Sequence, residues 1–288
     1  HYPLRRQRQM CIRDSLKSAG YTTAHFGKWH LANDMIPDAP FPSEYGFDEY
    51  GAFNCSGPQM YVHDDVKSSI PFIEKSHKAD KPFFINLWIH EPHTPFHVDP
   101  KLQKRFAELG EKDAIYAATL FHADLRIGQL LEALDRLNLA KDTLVIFSSD
   151  NGPARGAPDA PLTLVYDSAT GLGYGIAAAK GITGGRKGYK AALFEGGVGV
   201  PFIARWPSKI AAGKVDKTSI FSAVDLLPTF CEIAGVKLPA SYRPDGVSQV
   251  ETLQGNGKAL RENPLFWKTF GPWPARKTKP DHWVSYAV

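Results

Sequence analysis

Two lysines, a cluster of histidines and an Asp-Asn pair are the residues of this chain whose types and spacing could do chemistry. Lys28 and His30 flank Trp29 directly after Gly27, at the end of a short apolar run. A cation and an imidazole two residues apart can hold an anion beside a proton carrier. A surface lysine with a packed histidine is the competing reading, and Trp29 reads as a packing residue. Asp150-Asn151-Gly152 offers a carboxylate and an amide oxygen, hard ligands suited to Ca2+ or Mg2+. Gly152 lets the chain turn so that both point one way, although an ordinary Asn-Gly turn has the same sequence. His90-Glu91-Pro92-His93-Thr94-Pro95-Phe96-His97 looks like a metal sequence. Its two prolines forbid a regular helix, so the three histidines cannot share a helical face as helical zinc ligands do. One histidine in a Pro-shaped loop suits an active-site acid or hydrogen-bond donor instead. Lys190 precedes Phe194-Glu195-Gly196-Gly197-Val198 and, taken alone, reads first as a solvated loop lysine; Arg186 and Lys187 read as surface charges.

These segments need elements to position them. Tyr21–Phe26, Pro82–Ile89, Thr143–Phe147 and Val198–Trp206 read as strands, and the near-continuous apolar run of the second predicts cover on both faces. Asp14–Ala19, Asp113–Leu137 and Pro228–Ala234 read as helices. In the second of these, Ala118, Phe121, Leu125, Leu131 and Leu134 form one apolar face, Asn138 closes the helix, and Gly235 closes the third. Alternating strands and helices predict an α/β fold: a mostly parallel sheet with helices on both faces. Ligands of such sheets bind beyond the C-terminal strand ends, so the segments above should converge on one sheet edge. A cationic pocket with a hard-metal corner there suits a sulfate or phosphate ester. The Gly-rich stretch from Ala154 to Gly188 is a long excursion of the functional or mobile kind. From Val236 the pattern turns irregular and Pro-rich.

Composition excludes several classes. The 288 residues suit one large α/β domain or a domain with a small companion. A formal charge of +4 is too small to argue for nucleic acid. No apolar run approaches the ~20 residues that cross a bilayer. Three dispersed cysteines, Cys11, Cys55 and Cys231, make neither a disulfide framework nor a zinc site.

From about Leu16 to Gly246 the chain resembles the sulfatase family of the alkaline-phosphatase-like superfamily. The resemblance rests on Gly20-Tyr21-Thr22-Thr23, Gly27-Lys28-Trp29-His30-Leu31, Pro92-His93-Thr94-Pro95, Ser149-Asp150-Asn151-Gly152-Pro153, Lys190 with Glu195-Gly196-Gly197, and Asp225-Leu226-Leu227-Pro228-Thr229. It implies hydrolysis of a sulfate ester, of a sulfated small molecule or glycan, by Ca2+ (ahead of Mg2+) and a formylglycine nucleophile. Asp150 and Asn151 would be two of the Ca2+ ligands, and Lys28 and Lys190 would hold sulfate oxygens. His30 would hydrogen-bond the nucleophile, and His93 would contact the ester oxygen and assist the leaving group. Periplasmic or extracellular location follows from the family alone.

The chain departs from the family in places. No Cys-x-Pro-x-Arg or Ser-x-Pro-x-Arg occurs, and the family's N-terminal strand with its Asp-Asp metal pair is not matched. Gly199 stands where the family usually has Arg, and Ala32 replaces a common Gly. The sequence therefore reads as a segment inactive by itself. Residues 1–13 form an unmatched stretch, residues 14–235 the α/β core, and residues 236–288 a connection with the start of a small C-terminal antiparallel sheet, Trp283–Val288. Unpaired strand edges and poor solubility are expected of it. Trp267, Trp273 and Trp283 could line a sugar subsite or simply pack. The alternatives are a phosphodiesterase or phosphonate monoester hydrolase of the same superfamily, or a non-catalytic anion- or glycan-binding relative. Oligomeric state is left open.

Overall fold

The computed structural model describes residues 12–29, 40–55, 59–238, 242–268 and 286–288. Its strands are β1 (Thr22–Lys28), β2 (Glu49–Phe53), β3 (Phe83–Trp88), β4 (Val145–Ser148), β5 (Leu164–Asp167), β6 (Gly171–Tyr174), β7 (Phe202–Arg205), β8 (Trp267–Lys268) and β9 (Tyr286–Ala287). Its helices are α1 (residues 12–18), α2 (Asp65–Lys78), α3 (Pro100–Arg105), α4 (Glu111–Arg136), α5 (Glu195–Val198), α6 (Leu226–Ile233) and α7 (Val250–Gln254).

β1 is the centre of a parallel sheet ordered β2-β1-β3. Its side chains alternate between faces. Ala24 and Phe26 pack with Phe72 of α2 on one side. On the other, Trp29 clusters with Tyr45, Phe47 and Cys55, and Phe84 of β3 meets Phe230 of α6 at 5.8 Å between ring centroids. Helices thus cover both faces, as the α/β reading expects. Neither α2 nor β2 was predicted; α2 carries Pro71 in its interior, and β2 is a five-residue strand with a central glycine.

Cover thins away from β1. β3 is only partly buried and Trp88 is exposed, so the apolar run does not have the double cover predicted for it. β4 pairs antiparallel with β7, Ser148 opposite Phe202. Among the described residues, parallel pairing is therefore confined to β1, β2 and β3. Antiparallel pairing brings the segment before β7 to the same end as the loop after β4. Phe147, Phe202 and Ile203 stand exposed on this pair.

The long predicted helix is α4, and Asn138 closes it in the left-handed region (φ 57). Its buried stripe runs through Ile115, Ala118, Thr119, Ala123, Arg126 and Leu134, whereas Leu125, assigned to the apolar face, is exposed. The Gly-rich excursion contains a hairpin, β5–β6. Asp167 Oδ1 builds its turn by accepting from the backbone N–H groups of Ala169 (3.0 Å) and Thr170 (2.9 Å), and Gly171 takes the positive φ. The buried Asp225 ties the far end together, accepting from Val247 N (2.9 Å) and pairing with Arg261 (2.6 Å). β9 pairs antiparallel with β8 where a C-terminal sheet was expected; Trp273 and Trp283 lie outside the described residues. Cys55 and Cys231 are buried and form no disulfide among the described residues, and Cys11 is not among the described residues. No helix among the described residues is long and apolar enough to cross a membrane.

Candidate active site

Gly27 sits inside β1 rather than after it. Its φ is 102°, and a Cβ there would lie 2.1 Å from the carbonyl oxygen of Trp88, so β1 and β3 approach this closely only because residue 27 is glycine. Lys28 then emerges half-buried at the strand's end. Behind it, fully buried His25 donates from Nε2 to the Lys28 carbonyl at 3.2 Å. The ring is boxed by Trp29 (4.8 Å) and Trp88 (5.0 Å). Burial pushes the His25 imidazole down to about 4, so it braces the strand end as a neutral ring. Trp29 is a core residue, as predicted. His30 lies outside the described residues.

β3 runs beside β1 and leads into the 90–97 turn, where the Glu91-Pro92 and Thr94-Pro95 bonds are cis. His93 N donates to His90 O (2.9 Å), and the His93 Nδ1 lies 2.5 Å from Thr94 O. That contact assigns the Nδ1 proton and leaves Nε2 for other partners. Fully buried Phe96 joins the turn to the hairpin through paired backbone bonds with Tyr174, 2.8 and 3.0 Å.

The third part is knitted from backbone. Gly152 N donates to Gly197 O (2.9 Å), Lys190 N to Pro153 O (2.8 Å) and Gly196 N to Lys187 O (2.7 Å). A Cβ on Gly152 would lie 1.9 Å from Gly196 O, so this close packing requires glycine. Asp150 is exposed; the Asn151 amide nitrogen donates to Gly152 O (3.0 Å), turning its nitrogen end into the turn. Arg186 is more than a surface charge: its Nη1 donates to Gly199 O at 3.1 Å.

Electrostatics ties the three parts together. Partial burial lowers Lys28, the Lys190 cation lowers it further, and Asp150 and Asp167 oppose both. His93 is lowered by loss of solvent around its ring and by the cations of Lys28 and Lys190, against Asp150. Lys28, His93, Lys190 and Asp150, anticipated from sequence, therefore share one electrostatic neighbourhood. Asp167, brought in by the β5–β6 hairpin, was not anticipated. Lys190 disfavours the protonated form of Lys28, and both lysines disfavour that of His93, so this is a neighbourhood in which an anion is stabilised.

Below the pocket lies a cluster that sequence reasoning missed. Glu91, its side chain 1% exposed, receives Arg126 Nη1 at 2.7 Å and stands 2.9 Å from His63 Nδ1 and 3.5 Å from His122 Nδ1. Arg126 Nη2 pairs with fully buried Asp65. Burial raises Asp65, whereas His63 and Arg126 hold Glu91 down at about 2 against its own burial. Among the described residues, His63, Glu91 and His122 form the one cluster of three or more such side chains whose types could ligate a metal. Arg126 Nη1 lies 2.7 and 3.0 Å from two of the three ligand atoms, so a guanidinium already stands where the cation would. The one sequence signal was a charged residue in the α4 stripe, Arg126 four residues after His122 and eight after Ala118.

The donors Asp150 and Asn151 fit a hard cation by type, but they supply only part of the ~6–8 oxygens Ca2+ takes.

Comparison with known proteins gives the family. The sulfatase family model matches residues 1–236, a span that takes in the stretch set apart at 1–13. The chain is 26% identical to the uncharacterized sulfatase YdeN of Escherichia coli K12, over 93% of this chain and 51% of that protein. It is 30% identical to the N-acetylgalactosamine-6-sulfatase of Rattus norvegicus, over 88% of this chain and 49% of that protein. The chain thus spans about half the length of these curated relatives. Among solved structures, Ps i-CgsB in complex with k-i-k-neocarrahexaose superposes with a TM-score of 0.71 at 25% identity, over 88% of this chain and 60% of that one.

Proposed function

The chain belongs to the sulfatase family, and on that footing we propose that its pocket binds and cleaves a sulfate ester, R–O–SO3− + H2O → R–OH + HSO4−. The observation that carries this reading is the field that Lys190 and Asp150 exert on Lys28, and that Lys28, Lys190 and Asp150 exert on His93, with Asn151 following Asp150 in the chain. Lys28 and Lys190 take the sulfate oxygens as point charges. The bound anion offsets the lysine field at His93, so the imidazole gains affinity for a proton when substrate is present. His93 then gives that proton to the ester oxygen as the S–O bond breaks. Asp150 and Asn151 would contribute two ligands to Ca2+, which in such a site neutralises sulfate charge. Formylglycine is the family's source of the attacking oxygen; this chain's own residues bind, orient and carry protons.

The substrate class we infer is a sulfated glycan, in a periplasmic or extracellular setting. Support comes from the relative named for N-acetylgalactosamine 6-sulfate and the neighbour bound to a neocarrahexaose. The exposed Tyr166 and Leu172 of the hairpin adjoin this pocket through Asp167 and suit the apolar face of a sugar. The test is steady-state hydrolysis of an aryl sulfate by the full-length protein. Lys28→Ala and Lys190→Ala should each lower kcat/KM by about 10²-fold or more, as loss of a charge-stabilising donor does. Unchanged kcat/KM in both overturns the pocket as the site.

A further inference from the structure

The Glu91 cluster costs the protein stability that apolar packing would not. Asp65, Glu91 and Arg126 are all buried, and replacing a buried ion cluster by apolar residues of similar volume is commonly neutral or stabilising. What such a cluster provides is one fixed arrangement, because each charge has one set of partners. Here it joins three parts of the fold at one carboxylate: Arg126 from α4, His63 from the segment before α2, and Glu91 at the start of the 90–97 turn. Asp65, in the first turn of α2, holds the other side of the guanidinium.

Glu91 is two residues from His93. The turn between them is short and closed by His93 N to His90 O at 2.9 Å, with His90 Nε2 held by Pro95 O at 3.0 Å. The His93 side chain hydrogen-bonds to Thr94 O, within the turn itself. The ring therefore goes where the turn goes, and the turn is anchored into the core at two points: apolar Phe96 on its far side from Glu91, and the Glu91 carboxylate two residues from the ring. A shift of about 1 Å in such a group is enough to lose ~10²-fold in rate.

We propose that Arg126 is a positioning residue for His93: held by Asp65, it fixes Glu91, and Glu91 fixes the turn that presents the His93 ring to the leaving-group oxygen. The proposal rests on the reading of His93 as the group that protonates the departing alcohol. It makes a demand that general weakening of the fold does not. A leaving group that departs as a stable anion needs no proton from His93, whereas a basic alkoxide does. Damage to His93 placement should therefore grow with the basicity of the leaving group.

The test is kcat/KM over a series of sulfate monoesters, from strongly acidic phenols to a simple alcohol, in the full-length protein. Arg126→Lys keeps the charge but loses the two-sided fork; Glu91→Gln keeps size and one acceptor, and serves where the first variant does not fold. Arg126→Lys or Glu91→Gln should lose about 10–10²-fold on the most basic leaving group and less than about threefold on the most acidic. His93→Ala is the reference and should show the same slope, steeper. A uniform loss across the series, or no loss, with His93→Ala still sloped, overturns the role of Arg126 alone. A flat series in His93→Ala overturns the reading of His93 and this proposal with it.

Discussion

The two halves of the pocket are held by different physics. Lys28 stands at the end of β1, where Thr23, Ala24 and His25 are fully buried and two indoles box the supporting imidazole. Asp150, Asn151 and Lys190 stand at the end of the β4–β7 pair, where Phe147 is 45% and Ile203 61% exposed. There the chain is fixed by backbone hydrogen bonds and by glycines that leave no room for a Cβ, not by apolar cover. A side chain can be placed by burying its strand or by lacing its loops, and this pocket uses one method on each side. His93 belongs to neither: its turn is anchored by charge at Glu91 and by apolar burial at Phe96.

The comparison breaks first at the chemistry. His93→Ala should lower kcat/KM on an unactivated sulfate ester by about 10²–10⁴-fold, the largest single effect, and steady-state rates would show it. Next, alanine at two glycines should fail in opposite ways. Gly27→Ala drives a Cβ into Trp88 O within the buried sheet; at its positive φ it should cost roughly 3 kcal/mol or more, read as a lost or much lowered Tm. Gly152→Ala meets Gly196 O in the laced half. It should lower activity about 10²-fold by misplacing Lys190 and Asp150, with a smaller fall in Tm. Equal Tm losses would mean that the halves are not held differently. Within the cores, Phe26→Ala should cost about 3–5 kcal/mol in urea unfolding, and exposed Phe147→Ala under about 1 kcal/mol.

Acid should act on the buried half and on the 90–97 turn. His25 and His90 are pushed by burial from 6.5 down to about 4. Their folded values lie below the unfolded one, so the unfolded chain takes the proton first. Stability is whole above pH 6.5 and falls as pH drops toward 4, by about 3 kcal/mol at most for each ring. Glu91, held at about 2 against 4.5, adds a further loss between pH 4.5 and 2. Urea midpoints at pH 7.5 and 5 should differ by the histidine contribution, and equal midpoints would show that these rings are not buried neutral.

Much of this site was legible because its residues cluster at strand ends that periodicity reveals: Gly27-Lys28-Trp29 after β1, the His90–His97 turn after β3 and Asp150-Asn151-Gly152 after β4. What periodicity cannot supply is pairing direction, so the antiparallel β4–β7 was invisible although both strands were placed. The hairpin at 164–174 was hidden by its glycines, which read as loop, while Asp167 builds its turn from ordinary backbone donors. Glu91 was read for its neighbours, because its partners His63, Asp65 and Arg126 are distant in sequence and their convergence depends on how α2 and α4 pack.

The central claim is that one pocket, filled from both halves, is built for a sulfate ester. The measurement is kcat/KM of the full-length protein on the sulfate and phosphate monoesters of one alcohol, under identical conditions. The account predicts that the sulfate ester is the faster by at least about tenfold, ~1.4 kcal/mol, and that Lys190→Ala erodes that lead. A faster phosphate ester, or hydrolysis of neither, would contradict it.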